Sequence, residues 1–225
     1  MVGMYDFCKM DILLVAATKF EIGPILPLLE KENYKLHNHT IEVLITGVGQ
    51  VNTTYFLTAK LLSKKFGLVI QSGIAGTFNN TLRLGETVLI KQDAFGDLGM
   101  EEKGNFTTVF DAGFANKNEL PFTDGWLINN HTILDNTLLK TVAAVTVNKV
   151  SDSLLQQQQL THHFNPLVES MEGAAFHYVC LQQHVDFIQL RSISNAVGER
   201  DKSKWAIKDA IANLNIELEK LITAL

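Results

Sequence analysis

The chain has 225 residues, 46% hydrophobic and 19% charged, with 24 acidic and 19 basic residues giving a formal charge of −5. That length suits one large α/β domain or two small ones, and a mild, evenly spread charge leaves no basic stripe for nucleic acid, so the expected partner is a small molecule or another protein. No apolar run approaches the roughly 18 residues that span a membrane, Cys8 and Cys180 cannot build a disulfide framework, and no basic n-region opens the chain, so a cytoplasmic protein is expected.

Residues 1–10 read as a leader before a single domain over 11–225. Asp11 to Ala17 is an unbroken apolar run, the pattern of a strand buried on both faces. Thr18 is placed to cap a following helix, with Glu21 as its capping-box partner and Pro24 in the first turn. Thr40 to Thr46 predicts another strand. Gln50 to Phe66 predicts a helix with Val51, Thr54, Tyr55, Thr58, Leu61 and Leu62 inward. Leu68 to Ile70 and Val88 to Ile90 are short buried strands. Over 93–136 the periodicity dissolves, which in a compact domain marks a functional or interface loop. Thr141 to Val147 is a strand, Glu172 to Gln183 a helix and Phe187 to Ile193 a strand. Lys204 to Leu225 is an amphipathic closing helix with Ile207, Ile211, Leu214, Leu218, Leu221 and Leu225 inward. Gln156 to Gln159 is only a polar run. The alternation predicts an α/β sandwich around a parallel or mixed sheet.

Four stretches could carry chemistry. Gly47-Val48-Gly49-Gln50-Val51-Asn52 is a partial dinucleotide fingerprint, but the third glycine is missing and the next strand ends in Gln71-Ser72 without an acid. A tight strand-to-helix turn is the favoured reading. Ser72-Gly73-Ile74-Ala75-Gly76-Thr77 follows a strand, where small residues open a crevice or simply pack closely. Glu172 opens a helix, either as a first-turn dipole partner or as an acceptor for two vicinal sugar hydroxyls; composition favours the first. Arg191 ends an apolar strand before Ser192-Ile193-Ser194-Asn195 and needs a buried carboxylate partner, for which Glu21 is the candidate. His162-His163, His37 with His39, and His177 with His184 lack metal-ligand spacing, so no metal is expected. No G-x-S-x-G elbow surrounds a serine, and Cys180 reads as a packed small hydrophobe.

Ser-Met-Glu-Gly-Ala-Ala (170–175) followed by Arg-Ser-Ile-Ser-Asn (191–195) resembles the nucleoside phosphorylase/nucleosidase superfamily, and Glu21 and the Ser-Gly-Ile-Ala-Gly stretch fall in the same order. Residues 16–21, 122–126 and 168–176 are most similar to its futalosine hydrolases, which release hypoxanthine from futalosine. The resemblance implies a three-layer sandwich with a central mixed, partly barrel-like sheet flanked by helices, no cofactor, and a homodimer or larger homo-oligomer. It gives Glu172 the ribose 2′- and 3′-hydroxyls and packs Met171 beneath the sugar. It makes Glu21 the activator of water with Arg191 beside it. It puts Ser194 and Asn195 at the purine, and Gly73, Ile74 and Val150 against the substrate. Phe122 and Trp126 are expected to wall the far end of the substrate.

Two departures from the family pattern bear on substrate. Relatives that accept adenine carry Asp where Asn195 stands, and an amide donates to N7 or O6 of a 6-oxopurine, which a carboxylate would repel. Phosphorolytic relatives carry Arg and Ser where Gln71 and Ile74 stand, and phosphate needs such donors, so water is the expected nucleophile. Methylthioadenosine/adenosylhomocysteine nucleosidase, 6-oxopurine nucleoside phosphorylase and a non-catalytic nucleoside binder remain the alternatives.

Overall fold

A computed structural model describes residues 9–150 and 152–225. Eleven strands and five α-helices follow in chain order. They are β1 (Asp11–Ala16), α1 (Leu26–Lys31), β2 (Lys35–Leu36), β3 (His39–Ile45), α2 (Gln50–Ser63), β4 (Leu68–Thr77), β5 (Thr87–Phe95), β6 (Gly99–Glu102) and β7 (Asn105–Thr108). Then come β8 (Leu127–Ile128), β9 (Thr141–Thr146), α3 (Leu154–Phe164), β10 (Val168–Ser170), α4 (Gly173–Gln182), β11 (Phe187–Ala196) and α5 (Ile207–Thr223). The expected leader lies outside the described residues, as does Cys8, except for Lys9 and Met10; the Met10 carbonyl already accepts from Thr40 N–H at 2.9 Å.

The sheet runs β10-β9-β5-β11-β4-β1-β3-β2, and β10 also pairs with β4. That extra pairing closes β4, β10, β9, β5 and β11 into a ring, with β1, β3 and β2 continuing as an open wing. Pairing is mixed: β4–β11, β1–β4, β1–β3, β5–β9 and β9–β10 are parallel, while β4–β10 and β5–β11 are antiparallel. Alternate residues of the buried strands face opposite layers. Leu13, Val15, Val69 and Phe187 pack under α2 and α4 with Leu57, Leu61, Phe176, Val179 and Cys180. Ile12, Leu14, Ile70, Ile188 and Leu190 pack under α1 and α5 with Leu29, Leu214, Leu218, Leu221 and Ile222. The expected three-layer, partly barrel-like architecture is therefore present.

Several expected elements differ. Residues 18–25 form turns, not a helix, and α1 starts at Leu26 with Pro27 in its first turn. Only half the capping box exists: Glu21 Oε2 accepts the Thr18 N–H (3.0 Å), but the Thr18 hydroxyl also points at Glu21 (3.1 Å). Asn215 of α5 holds these turns, donating to Glu21 O at 2.8 Å and accepting from Ile25 N–H at 3.3 Å. On α2 the buried stripe is Thr53, Leu57 and Leu61. Val51, Tyr55 and Leu62 face outward, because the helix has two apolar stripes and only one meets the sheet. The strands β4 and β11 run on past their apolar cores through Gly73–Thr77 and Ser194–Ala196, because they pair with each other along that length. The segment after Asp93 is only partly irregular: β5 reaches Phe95, β6 and β7 form an exposed hairpin, and β8 pairs with β5. The polar run at Gln156 belongs to α3, capped by Ser153 and burying only Leu160.

Candidate active site

The mutually parallel strands β1, β3, β4 and β11 deliver their carboxyl ends to one edge of the sheet, where ligands settle in open α/β folds. A cavity of about 340 Å³ opens there. Its walls include Thr18, Glu21, Val48, Ile74, Gly76, Val150, Glu169, Met171, Glu172, Ser194, Asn195 and Trp205. Most substrate-side residues expected from the sequence thus share one cavity. Gly73 and Arg191 stand just behind its wall.

Arg191 is 1% exposed and sits between two carboxylates. Its Nη1 donates to Glu172 Oε2 and to Ile74 O, each at 3.4 Å, and its Nη2 donates to Gln71 Oε1 at 2.9 Å. The direct ion-pair partner is Glu172; the expected Glu21 pair is a through-space attraction without a hydrogen bond. The turn geometry explains this: Glu21 Oε2 is held by Thr18 and Oε1 by the Ile74 N–H at 3.2 Å. Burial pushes the Glu21 carboxyl above its ordinary range; nearby Arg191 pulls it down and the like charge of Glu172 pushes it up again.

Gly73 is where these groups converge. A Cβ there would collide with Arg191 Nη1 and lie 3.0 Å from Glu21 Oε1. Only hydrogen fits at this point of β4.

Glu172 is the N-cap residue of α4, yet its side chain caps nothing. It turns toward the cavity, where Oε1 accepts the Gly49 N–H at 3.1 Å. Its charge still lies at the positive end of α4, and the Gly47–Gly49 stretch is the expected strand-to-helix turn with a second task. Gly49 lies at φ +96°, and its backbone N–H faces Glu172. One lone pair on each Glu172 oxygen is engaged, which leaves acceptor capacity directed at the cavity.

Ser194 Oγ donates to Asn195 Oδ1 at 2.8 Å, and Asn195 Nδ2 donates to Ala196 O at 2.9 Å. Asn195, which lines the cavity, thus keeps one amide N–H and one oxygen lone pair uncommitted. Behind the wall, buried Asp93 accepts from Thr146 Oγ1 at 3.0 Å, and Thr146 Oγ1 accepts the Ala174 N–H at 2.7 Å, which ties down the first turn of α4. Burial pushes Asp93 up to about 7.

Some expectations fail here. Phe122 packs among Phe95, Phe110 and Tyr178, and Trp126 against Phe164, so neither walls the cavity. The aromatic walls are Phe20 and Trp205, with Arg200 near the latter ring. Trp205 was missed because the expected closing helix began at Lys204 and absorbed it, whereas α5 begins at Ile207. Glu169 was also missed: the expected helix opened at Glu172 and nothing singled out Glu169, which belongs to β10 and is 5% exposed. Burial, reinforced by Asp97 and opposed by Arg200, pushes it up to about 7.

The family model described as the phosphorylase superfamily matches residues 29–225. A futalosine hydrolase of Thermus thermophilus is 29% identical over 220 residues, covering 93% of this chain and 94% of its own. One from Streptomyces coelicolor is 30% identical over 169 residues, covering 72% of this chain and 68% of its own. Among solved structures, a mutant Helicobacter pylori 5′-methylthioadenosine/S-adenosylhomocysteine nucleosidase with 5′-methylthioadenosine in its active site superposes with a TM-score of 0.78. It is 20% identical, and the match covers 96% of this chain and 99% of that one.

Proposed function

This chain belongs to the phosphorylase superfamily, and from that premise we propose that it is a nucleosidase that hydrolyses futalosine to hypoxanthine and dehypoxanthine futalosine, a step of menaquinone biosynthesis. The observation that carries the reading is that Glu21, Glu172 and Asn195 share one cavity, with Arg191 behind its wall between the two carboxylates. The named relatives support N-glycosidic hydrolysis as the reaction type.

In the proposed mechanism the glycosidic bond breaks first and positive charge builds on the ribose ring. Glu172 accepts hydrogen bonds from the 2′- and 3′-hydroxyls and places its negative charge beside that ring. Met171 lies under the sugar. Glu21 takes a proton from water as it attacks the anomeric carbon, and burial, by raising its carboxyl above the ordinary range, makes it a stronger base. Arg191 is a positioning residue, since its guanidinium holds Glu172 and the Ile74 carbonyl. Asn195 donates to N7 or O6 of the departing base, which receives the bonding electron pair.

Two features favour water and a 6-oxopurine. Three of the four Nη N–H donors of Arg191 are engaged by Glu172, Ile74 and Gln71, and the side chain is buried behind the cavity wall, which places it poorly for gripping phosphate. The amide of Asn195, oriented by Ser194, is a donor toward the base. Running the reaction in ¹⁸O-labelled water with and without phosphate tests the proposal: label on the sugar's anomeric oxygen and a rate indifferent to phosphate are expected, whereas a sugar 1-phosphate would sink it.

The homo-oligomer implied by the family resemblance has a candidate face. Val51, Tyr55 and Leu62 of α2 are 79%, 67% and 72% exposed, and half-exposed Val48 continues this face to the cavity rim. A second copy of the chain covering it would exclude apolar area from water and wall the open side of the site.

A further inference from the structure

Glu169 has no task in the mechanism above. It is 5% exposed, and its Oε2 is buried without a hydrogen-bond partner. An uncompensated buried carboxylate oxygen is costly and points to a ligand that completes it. Its place in the sheet says which. Glu169 pairs in register with Gly76 across β10–β4, and Gly76 pairs with Asn195 across β4–β11. The three residues form one row over three adjacent strands, and all three line the cavity. At roughly 4.8 Å per strand, the Glu169 and Asn195 backbones stand about 10 Å apart. The residue between them has no side chain. A Cβ on Gly76 would come within 3.0 Å of the Val197 side chain and 3.4 Å of Asn195 Nδ2, so this point of the row has no room for a side chain of its own.

We propose that Glu169 is the second base-recognising residue of the site, accepting the N1–H of a 6-oxopurine on one side of Gly76 while Asn195 donates to O6 or N7 on the other. The inference rests on the 6-oxopurine reading of the site. A lactam base presents a donor at N1 beside an acceptor at O6, and the carboxylate and amide supply the complementary pair. Adenine reverses both groups: its N1 is an acceptor, which meets an ionised Glu169 as lone pair against lone pair. Discrimination of this kind, set by buried groups left unpaired, is the strong kind. The charged groups facing Glu169 are Asp97 and Arg200; burial, reinforced by Asp97 and opposed by Arg200, raises its carboxyl to about 7.

Binding of hypoxanthine and 1-methylhypoxanthine to wild type, Glu169→Gln and Glu169→Leu, measured by calorimetry between pH 6 and 8.5, tests this. Wild type should prefer hypoxanthine, more strongly above pH 7 than below. Glu169→Leu should lose roughly ten- to hundredfold in hypoxanthine affinity, and its preference over the N1-methyl base should collapse. Glu169→Gln retains an acceptor and should recover part of the affinity without the pH dependence. Equal N1-methyl discrimination in wild type and Glu169→Leu overturns the proposal, as does binding of neither base. If the leucine variant does not fold, the glutamine variant decides: full pH dependence there refutes the role. Futalosine cleavage is scored separately. Cleavage without N1 dependence removes Glu169 alone, and N1-dependent hypoxanthine binding without futalosine cleavage removes only the assigned substrate.

Discussion

Arg191→Met removes the positive charge between Glu21 and Glu172 while keeping an apolar stem of similar reach. Arg191 is 1% exposed, its Nη1 lies 3.4 Å from Glu172 Oε2, and Gln71 Oε1 accepts from Nη2 at 2.9 Å. Removing one partner of a buried ion pair costs about 3–5 kcal/mol, because the other charge stays buried and unpaired. For a domain of this size each kcal/mol shifts Tm by roughly 2–4 °C, so Tm should fall on the order of 10 °C at pH 8. The loss should shrink toward pH 5, where a proton can neutralise one carboxyl in place of the guanidinium. Arg191 also draws the Glu21 pKa down, so without it the carboxyl rises further, and the acid limb of kcat/KM should move to higher pH. Thermal melts from pH 5 to 8.5 and a pH–rate profile read both effects. A Tm within about 2 °C of wild type at pH 8, or an unmoved acid limb, would refute the reasoning.

Gly73→Ala should lower kcat/KM roughly a hundredfold, because the new methyl displaces Arg191 Nη1 and crowds Glu21 Oε1; steady-state kinetics with unchanged far-UV circular dichroism checks it. Asp93→Asn should flatten part of the stability profile. The folded-state pKa of Asp93 is raised from 3.8 to about 7, so the native state holds a proton that the unfolded chain releases, and stability is lost as pH rises through that window. Wild type should therefore lose about 1.4 kcal/mol per pH unit relative to the variant between pH 5 and 7, and no more above it, as urea melts would show. If the exposed stripe of α2 joins two copies of the chain, as proposed, Val51→Glu with Tyr55→Glu should lower the sedimenting mass to that of a monomer, and equal masses for variant and wild type would refute that face.

Much of this was legible in the sequence where burial and motif agree. The run through Ile12, Leu14 and Ile70 is apolar because both sheet faces are covered, and Leu214, Leu218 and Leu221 keep a helical period because α5 buries only one face. Glu172, Met171, Ser194 and Asn195 were legible because two motifs bring them to one cavity. The rest depends on long-range geometry. Thr18 and Glu21 satisfy a local capping pattern, but Ile74 and Asn215 hold that segment in turns from distant positions. The outward stripe of α2 is as apolar as the inward one, so periodicity alone could not choose between them. Glu169 becomes visible only when β10 pairs with Gly76, 93 residues away in the chain. Phe122 and Trp126 were expected as substrate walls, yet Phe122 packs among Phe95, Phe110 and Tyr178 and Trp126 against Phe164, outside the cavity lining.

The central claim, a water-using nucleosidase selective for a 6-oxopurine nucleoside, is tested most directly by competition. Equimolar futalosine and methylthioadenosine are incubated with the protein in phosphate-containing buffer, and the free bases are separated over time. Hypoxanthine should appear first and in large excess over adenine, at a rate that removal of phosphate leaves unchanged. Preferential release of adenine, or hypoxanthine release that stops without phosphate, would contradict it.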